Sequence, residues 1–186
     1  MSNIKGRQEL LMLSLSKFYS REENIQLIIP IVKQQTSISL RLLDWLVTNF
    51  SREYDVNYRL SNSEKKNFSI WLDYKNQLKA YSKKQFDPFC RRNRIQFDLN
   101  DNDKFLLTTV GQLNFFRWAI ENKIIEFITN NINDIESDMN KNIRKNYKSK
   151  TKQKKNSKGG VIKTERRKRR ELSVSATKTL NKHKFE

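Results

Sequence analysis

Residues 95–128, IQFDLNDNDKFLLTTVGQLNFFRWAIENKIIEFI, change hydrophobic period part-way along, and that change decides the fold. Ile95, Phe97 and Leu99 alternate with polar residues, the period of a half-buried strand. Asn100 to Asp103 is a turn cluster, and Phe105 to Val110 reads as a second strand, so the pair forms a hairpin. Thr109 with Gln112 three residues later is a capping box. It opens a helix over 112–129, with Leu113, Phe116, Ile120, Ile124 and Phe127 facing inward.

Working outward, residues 7–19 carry Leu11, Leu15 and Phe18 at helical spacing. Ser20 and Glu23 make a second capping box, followed by the stripe Ile25, Ile28, Ile29 and Val32. Pro30 is expected to kink or restart that helix, because it lacks a backbone donor. Ser39 caps a third helix with Leu42, Trp45, Leu46 and Phe50 inward. Residues 51–67 are polar, with Val56, Tyr58 and Leu60 alternating as in a short edge strand. Ile70, Tyr74, Leu78 and Tyr81 make 68–83 a helix, stopped by Phe86-Asp87-Pro88-Phe89. The expected fold is α+β and mainly helical: several helices and one small antiparallel hairpin in a body spanning 1–138.

After Asp138 the apolar pattern collapses. Residues 141–186 hold 18 of the 38 basic residues and 3 of the 20 acidic ones, leaving a nearly balanced 20 and 17 for 1–140. The chain's net charge of +18 therefore resides mostly in a tail, 139–186. A segment with so little to bury does not offset its ordering entropy and is expected to be disordered alone. A charge this positive selects polyanions, nucleic acid before a membrane surface, because the tail lacks the apolar residues of an amphipathic anchor. Heavy use of Asn, Lys and Ile is what AT-rich codons favour, which discounts scattered lysines more than a dense arginine block.

The inventory excludes much chemistry. His183 is the single histidine and lies in the tail, so the body holds no Ser-His-Asp or Cys-His arrangement. One Cys and one distant His do not make a zinc site. Gly6, Gly111, Gly159 and Gly160 build neither a Walker loop nor a dinucleotide fingerprint. Asp98, Asp101 and Asp103 flank the hairpin turn and would be the carboxylates of a metal-dependent enzyme, but they read better as a solvated turn. No catalytic residue, metal or cofactor is expected. Cys90 forms no internal disulfide, fits a reducing compartment, and reads as an inert small residue. The opening residues lack a secretory pattern, and the longest apolar run, Leu27 to Val32, is far short of a membrane span. An intracellular, non-secreted protein is expected.

The binding residues expected are basic. In the tail they are Lys148, Lys150, Lys152, Lys154 and Lys155, then, beyond Gly159-Gly160, Arg166, Arg167, Lys168, Arg169 and Arg170. Lysine and arginine neutralise phosphates and release counterions on any sequence, so DNA or RNA is the expected partner. The same two blocks read as a two-part nuclear import signal, and the plainest alternative is a solubilising extension. Serines beside the second block, such as Ser173, would weaken phosphate binding if phosphorylated. In the body, Lys83, Lys84, Arg91, Arg92 and Arg94 flank the Phe86–Phe89 turn. They would grip a phosphate backbone, although the preferred reading has both phenylalanines pinning the turn to the core while the arginines stay solvated. Asp87 is a ready partner for one of them. Trp45, Trp71, Trp118, Phe115 and Phe116 read as core; the alternatives are a stacking platform or, for Phe115 and Trp118, a dimer face.

Phe68–Arg92 (FSIWLDYKNQLKAYSKKQFDPFCRR), Thr108–Ile128 (TTVGQLNFFRWAIENKIIEFI) and Arg169–Lys184 (RRELSVSATKTLNKHK) together resemble small uncharacterised basic proteins of large and giant DNA viruses of the mimivirus-like kind. The resemblance implies a viral origin and a life in an infected cell: host nucleus, viral factory or virion. It implies no reaction and assigns no residue a role. The expected function is a non-catalytic nucleic-acid-binding accessory protein. The alternative is a protein-interaction module of viral replication or transcription machinery, with a protein partner or a homodimer through the body and the tail as import signal or tether.

Overall fold

The computed structural model describes residues 2–60, 67–91, 93–99 and 105–152, with the backbone alone for 2–5, 7 and 146–152. Its elements in order are α1 (Ser2–Tyr19), α2 (Glu22–Val32), α3 (Leu40–Trp45), a π turn (Leu46–Phe50), α4 (Ser51–Glu53), β1 (Asn57–Arg59), β2 (Asn67–Ser69), α5 (Ile70–Gln85), β3 (Ile95–Asp98), β4 (Phe105–Thr108), α6 (Val110–Glu121), α7 (Ile124–Asn130) and α8 (Ile132–Lys152). The class is the expected one, mainly helical α+β. The expected hairpin is β3–β4, in the register Ile95↔Thr108 and Phe97↔Leu106, which turns Phe97, Leu106 and Thr108 inward. A second antiparallel pair joins it: β1 and β2 meet through Tyr58↔Phe68, so the chain enters α5 from a strand and the helix begins at Ile70.

Everything packs around α6. It touches α1, α2, α5 and α7, and nine of its residues, from Val110 to Ala119, are buried. Only a narrow side, carrying Arg117 and Glu121, meets solvent, and a helix with so wide a buried face needs apolar residues round most of it. Phe115, Phe116 and Trp118 therefore all lie inside, which removes the dimer face that Phe115 and Trp118 would have formed. Tyr19, from α1, donates to the Leu113 carbonyl at 2.8 Å, and burial pushes its phenol far above the ordinary range.

Several helix boundaries differ from expectation for local reasons. The long helix expected over 112–129 is two helices, because Lys123 adopts a left-handed conformation (φ 55°) that ends α6 and redirects the chain into α7. Ser20 caps nothing ahead of it: its hydroxyl donates back to the Lys17 carbonyl at 2.8 Å, and α2 starts after Arg21. α2 runs through Pro30 to Val32 and stops where Gln34 turns left-handed. Ser39 does cap α3, accepting from the Leu42 amide at 3.1 Å.

The body also extends further than 138. Ile132, Ile135, Met139 and Ile143 lie at helical spacing on α8, with Ile135 and Met139 buried. Asp138 accepts from Trp45 Nε1 at 2.9 Å, Tyr54 Oη at 3.2 Å and Asn142 Nδ2 at 3.0 Å. The compact unit ends at Ile143, and the helix itself continues to Lys152. So 139–152, expected within a disordered tail, is helical. The expected tail from 153 to 186 lies outside the described residues.

Gly111 makes the tightest approach in the core. A Cβ there would meet the Lys84 carbonyl oxygen at 3.0 Å and the Gln85–Phe86 peptide at 3.3 Å. Gly111→Ala is expected to destabilise the protein by about 1–3 kcal/mol, since backbone and not a side-chain end must move. Gly6→Ala, where nothing lies within 4 Å of the added methyl, should gain about 0.5–1 kcal/mol from helix propensity. Urea denaturation of the two variants checks the opposite signs.

Candidate nucleic-acid interface

The basic turn after α5 is held by the N-terminus of α6. α5 has a break at Ser82 (φ 60°, ψ 166°), a region that costs a non-glycine residue about 1–3 kcal/mol and persists only where the surroundings fix it. Here they do. The Asp87 amide donates to the Gly111 carbonyl at 3.2 Å. Gln112 donates to the Pro88 carbonyl at 2.8 Å and accepts from Thr108 Oγ1 at 2.9 Å. Asn114 donates to the Gln85 carbonyl at 2.9 Å. The capping box is thus half realised: Thr109 accepts from the Gln112 amide, but the Gln112 side chain is buried and serves the turn. Phe86 completes the attachment, 5.4 Å from the rings of both Phe115 and Trp118.

On this base sit the cations. Asp87 is buried and holds Arg91 with two bonds, 3.0 Å from Nε and 2.9 Å from Nη2, while the guanidinium lies 4.5 Å over the Phe89 ring. The bonds to Asp87 hold the Arg91 proton above its ordinary range. One edge of the guanidinium is committed to Asp87 and one face to Phe89, while the side chain as a whole stays exposed. Lys83, Lys84 and Arg94 are exposed, with no salt-bridge partner among the described residues. Lys84 also borders a cleft of about 570 Å³ with Ser82, Asn93 and Thr109. Arg92 lies outside the described residues. Of the two phenylalanines, Phe86 is the buried anchor, and Phe89, half-buried, is the shelf for Arg91, which Asp87 pairs.

Asp44 is the residue that sequence reading missed. It lies on α3 beside the π turn, half-buried, where Arg91, Asp87 and Lys83 all act on it. Burial raises its carboxyl above the ordinary value, Asp87 adds to this, and Arg91 and Lys83 oppose it. Tyr74 is pushed up to about 12, first by burial and then by Asp44 and Asp87. The structure therefore brings Lys83, Arg91, Asp87, Asp44 and Tyr74 into one electrostatic neighbourhood. Nothing in the sequence around Leu43-Asp44-Trp45 signals this, since the contact spans more than thirty residues of chain.

The tryptophans divide. Trp118 is buried and its Nε1 donates to Asp73, and Trp45 is tied to Asp138. Trp71 is half-buried at the edge of the core, with the Arg52 guanidinium 5.5 Å and the Lys75 ammonium 4.6 Å from its ring centre. In the tail, Lys148, Lys150 and Lys152 fall on the last turns of α8. Lys154, Lys155, Arg166, Arg167, Lys168, Arg169 and Arg170 lie outside the described residues, as do Asp101, Asp103 and His183. Among the described residues no group of three His, Cys, Asp or Glu side chains could hold a metal ion, and no helix is long and apolar enough to cross a membrane.

A family profile described as a family of unknown function (DUF7197) matches residues 3–184. The chain belongs to DUF7197. It is 37% identical over 140 residues to the uncharacterised protein L507 of Acanthamoeba polyphaga mimivirus, across 72% of this chain and 54% of that protein. This DUF7197 chain thus spans about half the length of the curated relative it matches, and is similar to a giant-virus protein, as the three quoted segments implied. No solved structure matches it.

The raised carboxyl of Asp44 has a pH consequence. Its folded form binds the proton more tightly than its unfolded form, so its contribution to stability is full below the ordinary carboxylate range and is lost as pH rises through the raised value. Asp44→Asn should therefore raise the melting temperature at pH 7, and the gain should vanish at pH 3. Thermal melts of the two proteins across that range check it.

Proposed function

We propose that this protein is a non-catalytic nucleic-acid-binding accessory protein, binding DNA or RNA phosphates through its basic C-terminal tail. The observation that carries the reading is the segregation of charge: 18 basic against 3 acidic residues in 141–186, and near balance before them. The arrangement of the body supports it. Lys83, Lys84 and Arg94 are exposed beside a turn fixed to α6, with no salt-bridge partner among the described residues. Host nucleus, viral factory and virion are the compartments where such binding would serve a virus.

The second reading is a protein-interaction module. It is favoured by Leu10 and Leu13, each 68% exposed on α1, an apolar pair at helical spacing that a partner or a second copy would cover. In that reading the two basic blocks act as an import signal or tether.

The test compares the full chain with a variant carrying glutamine at Lys148, Lys150, Lys152, Lys154, Lys155, Arg166, Arg167, Lys168, Arg169 and Arg170. Binding to labelled duplex DNA is measured across a salt series. Each neutralised phosphate adds about −0.9 to the log–log salt slope, and six to ten of them cost about 10³–10⁵ in affinity between 50 and 200 mM salt. The full chain should show such a slope and the variant should lose most of it. Equal, shallow binding by both would refute the tail as the binding element and favour the interaction module.

A further inference from the structure

We infer that the exposed side of α5, from Trp71 through Lys75 and Lys79 to Lys83, together with Arg52, is a track for single-stranded nucleic acid. This deepens the nucleic-acid reading above and rests on it, but it lies in the body and does not depend on the tail.

The sequence sets the spacing. Trp71, Lys75, Lys79 and Lys83 recur every fourth residue, while Ile70, Tyr74, Leu78 and Tyr81 face the core. Residues four apart lie on one helix face, about 6 Å further along the axis each time. Lys75, Lys79 and Lys83 are all exposed. The break at Ser82 falls between the second and third lysines and leaves Lys83 beside the Arg91 turn.

A second element borders the line. Arg52, from α4, meets Trp71 at one end, and Asp44, from α3, is within the influence of Lys83 and Arg91 at the other. The π turn and α4, at the end of the 40–53 segment, pack against α5. At the Trp71 end, the indole quadrupole attracts both Arg52 and Lys75, which holds these flexible cations near an aromatic ring before any ligand arrives. At the other end, Asp87 and the Phe89 ring do the same for Arg91.

The shape selects the strand type. Ahead of the break, Lys75 and Lys79 stand about 6 Å apart along one helix face, a step that suits successive phosphates of an extended chain, and Lys83 follows beyond the break. Asp44 and Glu53 lie on the bordering segment, where a second strand would meet carboxylates. Trp71, with Arg52 and Lys75 over its ring, serves to hold cations in place for one phosphate backbone, leaving the bases of a single strand unread.

The experiment uses the full chain. Lys75→Gln, Lys79→Gln and Lys83→Gln are combined, and binding to oligo(dT), to oligo(rU) of equal length and to duplex DNA is measured across a salt series. A control variant removes the same charge elsewhere, at the exposed Lys17, Arg21 and Lys33. The track predicts a loss of about tenfold on the better single-stranded probe, and a salt slope shallower by about 2, at roughly 0.7 per phosphate on a single strand. Duplex binding should change less than twofold, and the control should change neither. Whichever of oligo(dT) and oligo(rU) binds more tightly identifies the strand as DNA or RNA. Equal losses on single strand and duplex, equal losses in the control, or no loss at all would each overturn the track. The glutamine variant of the tail separates this failure from that of the tail reading: if only the tail is wrong, that variant still binds oligo(dT) as the full chain does, and if only the track is wrong, the triple variant does.

Discussion

The backbone of α6 at Gly111 lies directly against the backbone of residues 84–86, close enough that a single methyl would collide with a carbonyl oxygen at 3.0 Å. The rest of the structure hangs on that contact. It lets the Asp87 amide reach the Gly111 carbonyl, and it brings the Gln112 and Asn114 side chains to the carbonyls of Pro88 and Gln85. It also seats Phe86 among Tyr74, Phe115 and Trp118. A turn that would otherwise wander over the surface becomes an extension of the central helix. A hydrogen bond contributes only about 0.5–1.5 kcal/mol net, but a buried donor or acceptor left unpaired costs about 1–3 kcal/mol. The turn is therefore fixed less by what its bonds add than by what their loss would expose.

That rigidity gives the surface charges their meaning. Exposed ion pairs on a mobile loop are worth little. Arg91 is different: it is held along one edge by a buried carboxylate and on one face by Phe89, so this exposed cation has a fixed position. Lysines four apart on a helix repel by about 0.2–0.5 kcal/mol per pair, within a screening length of about 8–10 Å. Lys75 and Lys79 carry that cost in the free protein, and phosphates would relieve it. In the proposed division of labour, the tail supplies a large, salt-sensitive and indiscriminate attraction, and the body supplies the shape that distinguishes one kind of strand from another.

The sequence reveals elements where one face is buried and conceals them where context takes over. The alternation of Ile95, Phe97 and Leu99 is sufficient for β3, and Ser39 for the start of α3. The stripe Leu113, Phe116, Ile120 is real, but it understates α6, because a helix with so wide a buried face also buries Gly111, Gln112 and Asn114. The turn at Lys123 is invisible, since a left-handed lysine has no sequence signature. α8 hides its stripe for a different reason: Ile132, Ile135, Met139 and Ile143 are diluted among asparagines and lysines, so the pattern looks exhausted one turn too early. At the candidate site, Lys83, Lys84, Arg91 and Asp87 were legible as a group because they are neighbours in the chain. Asp44 and Arg52 were not, because only tertiary packing brings the segment around the π turn and α4 to α5.

The central claim is that nucleic-acid phosphates are bound by the basic tail and, independently, by the cations along α5. Photocrosslinking tests it most directly: the full chain is bound to a 4-thiouridine-substituted single strand, irradiated, digested and mapped by peptide mass. The account predicts crosslinks in two places, the peptides spanning 148–170 and the peptide containing Trp71. Crosslinks confined to the α1 surface around Leu10 and Leu13, or none above an unirradiated control, would contradict it.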